Sequence, residues 1–169
     1  MKKSLLFSIV WLLATVSCVK DVDNEGEGFD LKASKMEQIG SLFDSIARQP
    51  ESADVLIKAT EILYKDYTEL LPLSDRDIIQ RGKARGSAFS SLFDAIARQP
   101  EAFDDLDYAA EKFLGVYDPD YISDDLLEIT RIYSLTALEE SLARQPEAKD
   151  LINSASIKYL DFDILDHDE

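Results

Sequence analysis

Apolar residues recur along most of this chain with the period of a helix. Ile39, Leu42, Phe43 and Ile46 fall at i, i+3, i+4 and i+7, one apolar stripe of an amphipathic helix. Leu56, Ala59 and Leu63 carry the same period beyond Pro50. A proline ring disfavours helix in the residue before it and suits the first turn of a new helix, so Arg48-Gln49-Pro50-Glu51 predicts a tight corner between two helices. Arg48 then lies in the last turn of one helix and Glu51 in the first turn of the next, each favourable to the local dipole by roughly 0.3–1 kcal/mol.

This pattern occurs three times. Leu42 to Ser52, Leu92 to Ala102 and Leu138 to Ala148 align without gaps, and each contains Ala-Arg-Gln-Pro-Glu. The equivalent arginines are Arg48, Arg98 and Arg144, offset by 50 and 46 residues. The match extends downstream through Asp54, Asp104 and Asp150, through Leu56, Leu106 and Ile152, and through Leu63, Phe113 and Tyr159. Upstream it includes Ile39, Phe89 and Leu135, and a basic residue at Lys35, Arg85 and Arg131. Repeats of this length signal stacked supersecondary units. The expectation is an all-α domain over residues 31–162, three helical hairpins or about six helices, in units near 31–71, 74–117 and 120–162. Three units suffice for either a short α-solenoid or a closed bundle, and the sequence signatures of the named helical-repeat families are absent. Ser74 and Ser123 read as N-caps, Gly115 as a helix end, and Asp118-Pro119 as a turn. Gly82, Gly86 and Ser90, four apart, predict close approach of a neighbouring helix.

The N-terminus follows a different pattern. Lys2 and Lys3 precede a mostly apolar run from Leu5 to Val16, the layout of a secretory signal peptide. The run is about 12 residues where a membrane-spanning helix needs about 20. Thr15-Val16-Ser17-Cys18 resembles the lipobox of bacterial lipoproteins, and Val19-Lys20-Asp21-Val22-Asp23 is similar to the Lys-then-acidic stretch of surface-exported Bacteroidetes members. Thr15 stands where Leu is commonest. The resemblance covers about two dozen residues and implies an address: signal peptide 1–17, acylation of Cys18 with a palmitate-type chain, and a lipid anchor in the outer membrane, on its periplasmic or cell-surface side. Residues 18–30, acidic and with Gly26 and Gly28, then read as a flexible tether, and residues 163–169 as an acidic tail. Asp21-x-Asp23-x-Glu25-Gly26 begins like a calcium loop, but Lys32 stands where the bidentate Glu belongs.

Composition sharpens this. The chain has 169 residues, 18 Lys plus Arg against 34 Asp plus Glu, a charge of −16, and a single Cys, His and Trp. Loss of residues 1–17 removes Lys2, Lys3 and Trp11, raises the negative charge to −18, and leaves no free thiol if Cys18 is acylated. Such a chain repels phosphate backbones, so no nucleic-acid partner is expected. One Cys forbids an internal disulfide.

Candidate chemistry is sparse. Arg48, Arg98 and Arg144 would line one edge of a stack, either as a recognition ladder for carboxylates or, more simply, paired with acids of their own or the next unit. Glu51, Glu101, Glu147, Asp54, Asp104 and Asp150 are the nearby acids considered. Arg76, Arg81, Lys83 and Arg85 form the one basic cluster, a possible anion dock or a counterweight to Asp104, Asp105 and Asp107. Tyr117, Asp120 and Tyr121, with Asp118, Asp124 and Asp125, could form a contact surface or hydrated cation site, or an ordinary loop. No nucleophile elbow, phosphate loop or zinc motif occurs, and His167 is the only histidine. The expectation is therefore no catalytic residue, metal or cofactor, and a membrane-anchored, non-catalytic protein-interaction domain. A small-molecule or cation-binding module is the alternative, and a carboxylate-based hydrolase the third reading.

Overall fold

The structure, a computed structural model, describes residues 31–64, 75–120 and 122–167. The proposed signal peptide, Cys18, the tether, Ser74 and Tyr121 lie outside the described residues, as does the side chain of Arg76. The described chain is all-helical, with six α-helices and no strand: α1 Leu31–Arg48, α2 Ala53–Leu63, α3 Asp75–Arg98, α4 Phe103–Leu114, α5 Asp124–Arg144 and α6 Lys149–Leu160. None is long and apolar enough to cross a membrane.

The three predicted corners share one geometry. Gln49, Gln99 and Gln145 leave the helix at φ −142°, −142° and −136°, with ψ 69°, 72° and 72°. Each following proline opens a single 310 turn, and the N–H of Ser52, Ala102 or Ala148 donates back to the glutamine carbonyl at 2.9 to 3.0 Å. Proline has no N–H to lose there, and its fixed φ holds the turn. Gly115 ends α4 at φ 72°, and the Ser123 hydroxyl accepts from the Leu126 N–H at 3.3 Å to cap α5.

The long first helices form one layer, with α3 between α1 and α5. The short second helices form the other. α4 rests on both α1 and α3, and α6 on both α3 and α5, whereas α2 rests on α1 and meets α4 beside it. The principal contacts thus run from each unit to the next. Between the layers lie Phe43, Ile46, Phe89, Leu92, Phe93, Ile96, Leu106 and Ile152, all fully buried. Phe89 anchors the middle, its ring 6.4 Å from Phe93 and 5.6 Å from Tyr159.

The small-residue stripe does what its spacing predicts. A methyl group on Gly82 would collide with the Ile129 side chain, and one on Gly86 would lie 2.5 Å from Tyr133 Cβ and 2.9 Å from the Thr130 carbonyl oxygen. Glycine lets α5 lie against α3 at this crossing, and the Ser90 hydroxyl donates across it to the Tyr133 carbonyl at 3.2 Å. The first residues of the expected acidic tail, 163–169, are tied to the domain. Asn153 in α6 accepts the Ile164 N–H at 2.8 Å and donates to Asp163 at 3.0 Å, and Phe162 and Ile164 pack on the core. A buried amide with both ends satisfied holds the segment down.

Candidate functional site

Two ladders of charge run across the units, and both link an acid of one unit to a base of the next. In the first, Asp44 pairs with Arg48 on its own helix and with Arg98 of the second unit at 2.6 Å. Asp94 likewise pairs with Arg98 at 2.8 Å and with Arg144 of the third unit at 2.6 Å. The repeated arginines therefore do meet acids of their own and the neighbouring unit. The acids are Asp44 and Asp94, four residues before each arginine, rather than Glu51, Asp54 and their equivalents. Glu140 holds the corresponding place in the third unit, where no arginine from a further unit reaches it.

The second ladder joins the short helices. Glu61 pairs with Lys112 at 3.2 Å, and Glu111 pairs with Lys158 at 2.9 Å. Lys158 also pairs with Asp107 at 2.8 Å, and the Tyr159 hydroxyl donates toward the same carboxylate at 2.7 Å. Partial burial opposes the Lys158 charge, but the hydrogen bonds to Asp107 and Glu111 outweigh it and hold its pKa above the ordinary lysine range. Tyr159 is also raised, by burial first and then by the Asp107 carboxylate.

Beneath the first ladder lies an open groove of about 320 Å³ between α3 and its neighbours, lined by Ser87, Ser90, Ser91, Asp94, Glu140 and Arg144 among others. Its guanidinium groups already face carboxylates, so an anionic ligand would have to displace Asp44 or Asp94. Chemically it offers hydroxyls and paired charges.

Of the basic cluster, Arg81 and Arg85 are buried in α3, whereas Lys83 projects, its ammonium 5.3 Å from the Tyr133 ring centroid. Arg85 donates to the Leu114 carbonyl at 2.6 Å, and its equivalent Arg131 donates to the Leu160 and Asp161 carbonyls at 2.6 and 2.8 Å. Lys35, the first-unit equivalent, lies 5.6 Å over the ring of Tyr64. The upstream basic residue of each unit thus sits at the end of its own second helix, where carbonyls lack partners and the dipole favours a cation. This also fixes each hairpin as antiparallel. Asp107 goes to Lys158, not to the arginine cluster.

In the loop between units two and three, the Asp118 carboxylate accepts the Asp120 N–H at 2.9 Å, and the Tyr117 N–H donates to the Lys158 carbonyl at 3.2 Å. Tyr117 packs on the core, and Asp120 is exposed. Among the described residues no three His, Cys, Asp or Glu side chains are grouped to hold a metal ion. The ladder acids and lysines were missed in the sequence, although an acid stands four residues before all three repeated arginines.

An all-α stack of three antiparallel hairpins, stitched by two ion ladders, is the class that fold and site define. No protein-family model, curated protein or solved structure matches the chain.

Proposed function

We propose that this chain is an exported lipoprotein, attached through Cys18 to the outer membrane, whose helical-repeat domain works by binding protein at the ends of its stack. One observation carries the binding part: at the two ends of the stack, exposed apolar side chains stand where the repeat places buried or ion-paired ones inside it. Leu63 is exposed where Tyr159 is buried, Leu135 where Phe89 is buried, and Ile62 and Ile157 are exposed where Lys112 and Glu111 make ion pairs. Apolar surface at positions where the repeat itself supplies buried or charged residues marks an interaction surface. The repeated charges support a non-catalytic reading, because the ladders account for them as architecture.

Two experiments test the two halves. With Cys18→Ser, the processed protein should leave the membrane fraction; membrane retention of that processed variant counts against acylation there. A photoreactive residue at Leu63 or Leu135, in cells of the native organism, should yield a defined protein adduct, whereas one at Tyr108, exposed on α4, should not. Equal labelling at all three positions, or none at any, would sink the binding reading.

A further inference from the structure

Each unit offers one face to the unit before it and the opposite face to the unit after it, so among the described residues no further helical unit packs on the outer face of the first or the third. The missing neighbour can be read from the pairs inside the stack. Arg98 and Arg144 take Asp44 and Asp94 of the preceding unit, so among the described residues Arg48 has no acid from a preceding unit and Glu140 no arginine from a following one. Tyr159 packs on Phe89 of the preceding unit; Leu63 holds the place of Tyr159 and is 76% exposed, and Leu135 holds the place of Phe89 and is 42% exposed.

The second ladder makes the match more specific. Its lysine position, Lys112 and Lys158, is Ile62 in the first unit, 69% exposed, and its acid position, Glu61 and Glu111, is Ile157 in the third, 45% exposed. A polar pair inside the stack has become an apolar residue at both free ends, at the two positions that would meet if the stack continued. Arg48 opposite Glu140, Leu63 opposite Leu135 and Ile62 opposite Ile157 are complementary in charge and polarity in a single register. Ile132 stands where Gly86 does, and the repeat accepts a large side chain there at a packed crossing: Met36 holds the same place in the first unit and is buried on α1, the helix that packs on α3.

We infer that the free face of the first unit receives the third unit of a second copy of this chain, head to tail, with Arg48 on Glu140 and Ile62 on Ile157. This rests on the binding role proposed above and names its partner. Such an interface is heterologous, so it propagates into chains or closes into a ring. Residues Phe162 to Leu165 cover part of the α6 side, so the contact is carried by α5 and the exposed Ile157.

The test uses the full chain with Cys18→Ser, which has no other cysteine. One preparation carries Ile62→Cys, another Ile157→Cys, and both are treated with a short bis-maleimide separately and mixed. The expected result is a covalent dimer in the mixture and little in either separate arm. Arg48→Glu in the Ile62→Cys chain should cut the yield several-fold, and Glu140→Arg in its partner should restore it. Equal yield in a separate arm means a two-fold or unspecific contact and overturns the inference, as does absence of product in the mixture. Absence of product alongside a photo-adduct to a different protein at Leu63 overturns the self-contact while leaving the binding role standing.

Discussion

The α3–α5 crossing supports a prediction whose sign opposes the usual rule. Replacing glycine by alanine within a helix ordinarily adds about 0.5–1 kcal/mol of stability, because glycine has more backbone freedom to lose. At Gly86 the added methyl would lie 2.5 Å from Tyr133 Cβ, 2.9 Å from the Thr130 carbonyl oxygen and 3.3 Å from the Tyr133 carbonyl carbon. Relaxed contacts between such atoms lie near 3.5–4 Å, so α5 would have to move by roughly 1 Å, and two of the obstacles are backbone that no rotamer change relieves. Overpacking of this kind costs about 1–3 kcal/mol. Gly86→Ala should therefore destabilise by about 1–2 kcal/mol net, a fall in Tm of several degrees for a domain of this size. Gly40→Ala is the internal control. Its methyl would meet the Ser91 hydroxyl oxygen at 2.8 Å, the end of a side chain that can rotate away, and Ser91 Cβ at 3.3 Å, tight by only a few tenths of an ångström, while the nearest backbone atom, Ala88 Cα, lies 3.6 Å off. That variant should match or slightly exceed the parent. Calorimetric or circular-dichroism melts of the two variants beside the parent decide the matter. A Gly86→Ala protein as stable as Gly40→Ala would refute the claim that glycine is required for this crossing.

Other expectations follow from single residues. Ser141 and Ser156 bury hydroxyls without a hydrogen-bond partner among the described residues, and the second unit carries buried Ala95 and Ala110 at the same places. Ser141→Ala and Ser156→Ala should each raise stability, by about 1 kcal/mol, read as a higher urea midpoint at unchanged m. Tyr159→Phe removes the hydroxyl that donates to the Asp107 carbonyl at 2.9 Å and to its carboxylate at 2.7 Å, and should cost about 1–2 kcal/mol at neutral pH. Arg98→Ala should cost no more than about 1 kcal/mol by thermal melt, since the side chains of its pairs with Asp44 and Asp94 are 32–37% exposed and screened. Tyr159 and Lys158 both hold their protons more tightly folded than unfolded, so the stability they supply is full below about pH 10 and is lost as pH rises beyond it. Urea midpoints taken from pH 8 to 11.5 should fall above pH 10, and more shallowly in Tyr159→Phe.

The architecture was legible because its signals are local and repeated. The apolar stripe of Ile39 to Ile46, the proline corners and the Gly82–Gly86–Ser90 stripe each dictate backbone geometry within one or two turns. Pairings between units were harder to read. The Asp44–Arg98 pair spans 54 residues, and nothing along the sequence distinguishes Asp44 from the other acids around the corner until the helices are laid side by side. The second ladder was hidden further, because its acid reads Glu61, Glu111, Ile157 and its base reads Ile62, Lys112, Lys158, so neither position is uniform across three units. Arg81 and Arg85 looked like surface in a run of charge, yet helical rotation turns both inward while Lys83, two residues from each, faces out.

These failures locate where specificity resides. A residue repeated in all three units answers a need that every unit has: closing a corner, ending a helix or joining a neighbour. Arg48, Arg98 and Arg144 answer the first ladder, and Lys35, Arg85 and Arg131 sit at helix ends, so neither set by itself distinguishes this protein's task from that of any other stack of hairpins. Positions that break the repeat have no such common explanation. Ile62 and Ile157 leave a ladder that their interior equivalents maintain, and each does so on the face of its unit where, among the described residues, no further unit packs. An isoleucine exposed at the edge of a strongly acidic protein gains nothing in solubility over the lysine or glutamate its own repeat supplies elsewhere. Exchanging them back, Ile62→Lys with Ile157→Glu, should therefore leave the melting temperature of the isolated domain within about 2 °C of the parent, because neither side chain contributes to the core. The same exchange should abolish whatever the ends bind when the photo-cross-linking at Leu63 is repeated in that background. Undiminished labelling would return the recognition surface to the interior units and their groove.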